Sequence, residues 1–63
     1  MKRRDLLKKL KTIAQQTGNP MTTTEGGRHT QITIGPHVTY VPRHREIDEH
    51  LAKEILKQAK GLK

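Results

Sequence analysis

Cysteine is absent from the chain, so neither a disulfide nor a thiolate-held zinc can staple the fold. Tryptophan and phenylalanine are absent too, and Tyr40 is the only ring besides the four histidines, so no platform for stacking nucleobases is evident. Apolar runs extend over only two or three residues. None has the length of a membrane span, and no apolar signal region follows Met1-Lys2-Arg3-Arg4. The expectation is a protein without membrane attachment that works in a reducing cytoplasm. Acidic groups are scarce as well: six Asp and Glu stand against 13 Lys and Arg, a net charge of +7 on 63 residues. Such a surface favours polyanionic ligands, and nucleic acid fits better than a membrane.

A chain of 63 residues, 30% of them apolar, supports a single domain over 1–63 around one small core. Its stability alone is expected to be marginal, which makes a stabilising partner useful. The charge is uneven: residues 1–31 carry +5 and residues 32–63 carry +2.

Leu6, Leu7, Leu10, Ile13 and Ala14 recur at helical spacing, with Lys8, Lys9, Lys11 and Gln15 on the other face. With Asp5 at the positive end of the dipole and Gly18-Asn19-Pro20 as stop, this predicts a helix over about 4–17. Its lysines serve either as a solvated surface or as phosphate contacts, and Arg3 and Arg4 read the same way. The β-branched run Met21-Thr22-Thr23-Thr24 predicts a short edge strand, followed by a turn at Gly26-Gly27. Ile32 and Ile34 then alternate with Gln31 and Thr33, and Val38 and Tyr40 with Thr39. A three-residue loop Gly35-Pro36-His37 would pair Ile34 with Val38 and Ile32 with Tyr40, putting all four on the core face. Alternation then sends His29, Gln31 and Thr33 to the opposite face, with Arg43 across from His29. Pro42 ends the strand. Asp48 reads as the N-cap of a second helix, whose stripe is Leu51, Ala52, Ile55, Leu56 and Ala59 and which closes at Gly61. Helix, three strands and helix, each helix with one apolar stripe, predict an α+β domain: a three-stranded antiparallel sheet with both helices on one face and the other face open.

The stretch Glu25 to Ile34 holds the candidate chemistry, because a glycine pair delivers a cation and an imidazole onto a strand. An ordinary histidine titrates near 6.5 and can therefore take and give a proton near neutrality. His29 could withdraw the 2′-hydroxyl proton of RNA while Arg28, Arg43 or a lysine stabilises the charged transition state. Water, His44 or a lysine are the candidates for protonating the leaving oxygen. Without wider context, a lone histidine after Gly-Gly reads as a surface residue. His37 reads as a loop residue, His50 as a helix-surface residue, and His44 as a residue that orders its turn or meets a partner. The histidine spacings match no familiar zinc pattern, so no metal is expected. Gly26-Gly27 lacks the Lys-Ser/Thr and following helix of a phosphate-binding loop and reads as a turn.

Four segments together carry a family resemblance. Lys2-Arg3-Arg4-Asp5-Leu6-Leu7 resembles the first helix of HicA-type toxins, the small messenger-RNA interferases of HicAB toxin–antitoxin modules. Gly26-Gly27-Arg28-His29 resembles their glycine–histidine motif. Val41-Pro42-Arg43-His44-Arg45-Glu46-Ile47 resembles their proline–arginine–histidine segment, and Ile55-Leu56-Lys57-Gln58-Ala59 their closing helix. The resemblance spans nearly the whole chain. It implies a fold like a double-stranded RNA-binding domain, metal- and cofactor-independent cleavage of mRNA with His29 as the catalytic residue, and neutralisation by a cognate HicB-type antitoxin. On this reading Lys8, Lys9, Lys11, Gly27, Arg28 and Arg43 bind RNA, while Arg28, His29, Arg43 and His44 meet the antitoxin. The chain departs from the family's pattern where many members have Ser before the histidine and often a second histidine after it; here Arg28 and Thr30 stand. The aromatic residue often found after the family's first helix is missing. The alternatives are a non-catalytic double-stranded RNA-binding module and a subunit that binds only protein.

Overall fold

Burial of Leu6, Leu10, Ile13 and Ala14 along one stripe selects a helix for the first third of the chain, α1 (Arg3–Thr17). The computed structural model describes residues 1–61; residues 62 and 63 of the expected domain lie outside the described residues. Gly18 stops α1 in the left-handed region at φ 69°, where its N–H reaches the carbonyls of Ala14 and Gln15. Three strands follow: β1 (Met21–Glu25), β2 (His29–Ile34) and β3 (His37–Pro42). They form an antiparallel sheet in the order β1-β2-β3. The chain closes with α2 (Glu49–Lys60), capped by the Asp48 carboxylate, which accepts from the backbone N–H groups of His50 and Leu51 at 3.1 and 3.2 Å. The element order is the expected helix, three strands, helix.

The core unites Leu6, Leu10, Ile13 and Ala14 of α1 with Ile32 and Ile34 of β2, Val41 of β3, Ile47, and Ala52, Ile55 and Ala59 of α2. The inward side of the sheet therefore packs on both helices, and His29 on β2 and Val38 and Tyr40 on β3 lie exposed on the other side.

The β2–β3 hairpin corrects the expected register. Its loop is the two-residue Gly35-Pro36, so Ile34 faces His37, Thr33 faces Val38, Ile32 faces Thr39 and Gln31 faces Tyr40. Gly35 at φ 59° followed by the ring-fixed negative φ of Pro36 suits a type II′ turn, whose twist matches that of the flanking strands. A side chain at Gly35 would also meet Asn19 at 2.7 Å. Because side chains alternate with period two, the one-residue shift turns β3 over. Tyr40 is 56% and Val38 43% exposed, whereas Thr39 and Val41 are buried. Thr39 is accommodated in the core because its hydroxyl donates to Gln58 Oε1 at 2.7 Å. His37 is a strand residue rather than part of the loop. Leu51, expected in the α2 stripe, is 40% exposed, since Ile55 and Ala59 with Ala52 already fill that side.

The N-terminal residues lie against the β3–α2 connection. Lys2 forms an antiparallel bridge with Glu46, the Arg3 N–H donates to the Arg45 carbonyl at 2.9 Å, and the Ile47 N–H donates to the Met1 carbonyl at 2.7 Å. The Met1 ammonium donates to the Ile47 carbonyl and to Glu49 Oε1, each at 2.9 Å.

Candidate functional site

His29 is the first residue of β2 and is exposed on the open side of the sheet, as alternation predicts. The preceding turn is tied by the Gly26 N–H, which donates to the His29 carbonyl at 3.4 Å. Across the ladder His29 faces Pro42, not Arg43. This corrects the expected pairing by the same one-residue shift that moves Tyr40, and Pro42 at the strand end has no N–H to give. A shallow pocket of about 260 Å³ surrounds the imidazole, lined by Thr24, Gly26, Gly27, Arg28, Gln31 and Tyr40 with His29 itself. Gly27, Arg28 and His29, one motif in the sequence, are thus brought together in space. Gln31 joins them by alternation along β2, as expected, whereas Tyr40 joins them only because of the observed register, which puts a ring on the open face where the sequence shows no stacking platform.

Arg43 turns the other way, toward the β1–β2 turn. Its Nη2 donates to the Gly26 carbonyl and pairs with Glu25 Oε2 at 3.1 Å. Glu25 Oε1 in turn accepts from the Thr30 hydroxyl at 3.0 Å. Thr30 Oγ1 accepts from Arg3 Nη2 at 2.7 Å, and Arg3 Nε donates to the Pro42 carbonyl at 3.2 Å. This chain of polar contacts ties α1 to the turn that carries Arg28 and His29. Buried Thr30 sits at its centre, at the position where the resembled family often has a second histidine.

The remaining sequence candidates are dispersed. Lys8, Lys9 and Lys11 lie exposed on α1 in the helical layer, across the sheet from the open face that bears His29. Lys9 borders a separate groove with Thr12, Gln16, Leu56 and Lys60. His44 is exposed in the β3–α2 connection. Among the described residues, no group of three His, Cys, Asp or Glu side chains is arranged to hold a metal ion, and no helix is long and apolar enough to cross a membrane.

Sequence pattern alone gives no role to Lys2 and Arg45 and leaves that of Arg3 and Arg4 open. The bridge between Lys2 and Glu46 brings both basic runs to one cleft of about 520 Å³, lined by Lys2, Arg3, Arg4, Leu7, Arg43 and Arg45. The runs Lys2-Arg3-Arg4 and Arg43-His44-Arg45 are the signal the sequence offers, but their meeting depends on the fold. Lys2 to Arg4 also stand at the start of α1, where the helix dipole disfavours cations, and Lys2 supplies no side-chain cap. No family model, curated protein or solved structure matches this chain.

Proposed function

We propose that this protein is a metal-independent endoribonuclease acting on mRNA, the toxin of a HicAB-type toxin–antitoxin pair in the cytoplasm. The observation that carries the reading is the exposed imidazole of His29 beside Arg28 in a pocket floored by the open sheet, outside every apolar contact of the core. The four family-like segments supply the reaction class.

RNA brings its own nucleophile. His29 takes the proton from the 2′-hydroxyl, the 2′-oxygen forms a bond to the adjacent phosphorus, and the bond from phosphorus to the 5′-oxygen breaks. The 5′-oxygen takes up a proton from solvent, leaving a 2′,3′-cyclic phosphate on the upstream fragment. Arg28 stabilises the charge that builds on the phosphate oxygens. One general base with electrostatic help is worth about 10² to 10⁴-fold in rate, enough for a slow nuclease. A cognate HicB-type antitoxin would block the reaction by covering Arg28, His29, Arg43 and His44.

End-labelled RNA incubated with the protein in EDTA tests this directly. Cleavage should persist, yield 2′,3′-cyclic phosphate ends, and fail on RNA carrying 2′-O-methyl at the cut site. RNA binding without cleavage would instead assign a non-catalytic RNA-binding module. Absence of both would favour the protein-binding subunit.

A further inference from the structure

We infer that the cleft formed by Lys2, Arg3, Arg4, Arg43 and Arg45 binds the phosphodiester backbone of the RNA strand beside the scissile bond, an anchoring site separate from the His29 pocket. The inference rests on the ribonuclease reading for its ligand, but the geometry behind it is independent of His29.

The cleft has about 520 Å³ of space and five cationic side chains on its walls, with Leu7 as the only apolar one. Among the described residues, its charges are poorly answered from within the protein. Arg43 has Glu25 at 3.1 Å, and Arg4 has Asp5 at 3.8 Å on an exposed pair. The Arg3 guanidinium is held by the neutral acceptors of Pro42 and Thr30. Such convergence of like charges costs free energy, and an incoming polyanion relieves it. The start of α1 adds its own positive end to the same cleft.

The composition of the cleft favours phosphate over an acidic protein surface. Arginine presents a planar fork that matches phosphate oxygens, and four of the five cations are arginines. Protein interfaces centre on well-packed, desolvated anchors ringed by residues that exclude water, and Leu7 alone, half-buried, supplies little of such a centre.

The position also suits a substrate strand. Arg43 lines the cleft and also bonds to the Gly26 carbonyl, so the cleft opens next to the turn that bears Arg28 and His29. A strand held by its phosphates in the cleft reaches the imidazole by passing over that turn. Arg43 and Arg3 therefore have two duties: each holds the turn and each faces the anion. Arg4 and Arg45 are exposed, and neither side chain bonds to the turn; Arg4 has only the exposed Asp5 at 3.8 Å beside it.

The test uses Arg4→Gln/Arg45→Gln, with Lys2→Gln as a second variant, because these side chains are exposed and their replacement leaves the core intact. Binding of a fully 2′-O-methylated single-stranded oligonucleotide, which cannot be cleaved, is followed by fluorescence anisotropy over a salt series. With two phosphate-binding cations removed, the slope of log affinity against log salt should flatten by about 1.4, and by about 0.7 for Lys2→Gln. Unchanged slopes in both variants, with circular dichroism showing a native fold, would overturn the cleft while leaving the nuclease reading intact. Slopes that flatten in the variants when the parent protein itself never cleaves RNA would support the cleft and count against the nuclease. A parent without RNA affinity, or polyglutamate displacing the oligonucleotide at far lower charge concentration than competing RNA, would overturn the cleft as an RNA site.

Discussion

Arg3 donates its Nη2 to the hydroxyl of Thr30 at 2.7 Å, joining the first turn of α1 to the head of β2 across 27 positions of sequence. Thr30 directs its own proton to Glu25, and Glu25 holds Arg43, so one buried hydroxyl orders both ends of the turn before His29. Thr30→Val keeps the shape and removes both hydrogen bonds. The variant should be destabilised by about 1 kcal/mol in urea unfolding. It should also cleave RNA more slowly than the parent while remaining folded, since the turn is less well held.

The register of β3 makes opposite predictions for neighbouring residues. Val41 is fully buried, and removal of its methyl groups in Val41→Ala should cost about 2 kcal/mol. Tyr40→Ala should change stability by no more than about 0.5 kcal/mol, because the ring is mostly in solvent. If Ile32 instead faced Tyr40 in a three-residue loop register, Tyr40 would be the costly one. Chemical denaturation of the two variants decides between them.

His29→Ala should leave the thermal midpoint nearly unchanged, as befits an exposed side chain, and should reduce cleavage by about 10² to 10⁴-fold. A variant that cuts labelled RNA at the parental rate would exclude His29 as the base.

The Met1 ammonium is raised above its ordinary value of 8.0, first by its hydrogen bond to Glu49. Glu49 is lowered from 4.5 by the same bond. The raised amine contributes stability that is complete below 8.0 and fades as pH rises through its folded value. The lowered carboxylate contributes above 4.5 and loses its contribution as pH falls through its folded value. The thermal midpoint of Glu49→Gln should therefore fall furthest below the parent's between these limits and converge with it at both extremes. Raising salt should shrink the difference, because the pair is exposed.

A cognate acidic antitoxin that covers the open sheet face should inhibit and stabilise together. A ligand of the folded state at a thousandfold excess over Kd adds about 4 kcal/mol. Mixing the two proteins and following RNA cleavage, thermal midpoint and diethyl pyrocarbonate modification of His29 checks this. Full inhibition with His29 still freely modified would rule out occlusion.

The helices and their order were legible because each carries one apolar stripe and a local stop signal. Leu6, Leu10 and Ile13 need only a period of 3.6 residues, and Gly18 needs only its own φ. His29 on the open face was legible for a similar reason, since alternation with Ile32 and Ile34 is a local property of β2. The face of β3 was not legible, because Val38, Tyr40 and Val41 offer apolar residues to both sides and the choice falls to the Gly35-Pro36 turn and to the Thr39 bond with Gln58. The basic cleft was decided by tertiary structure alone. Lys2-Arg3-Arg4 and Arg43-His44-Arg45 lie near opposite ends of the chain's first two thirds, and only the bridge from Lys2 to Glu46 and the docking of α1 on the sheet bring their charges to one place. Local periodicity determines which side of an element faces inward, but where two distant charged runs meet depends on contacts that exist only once the core has closed.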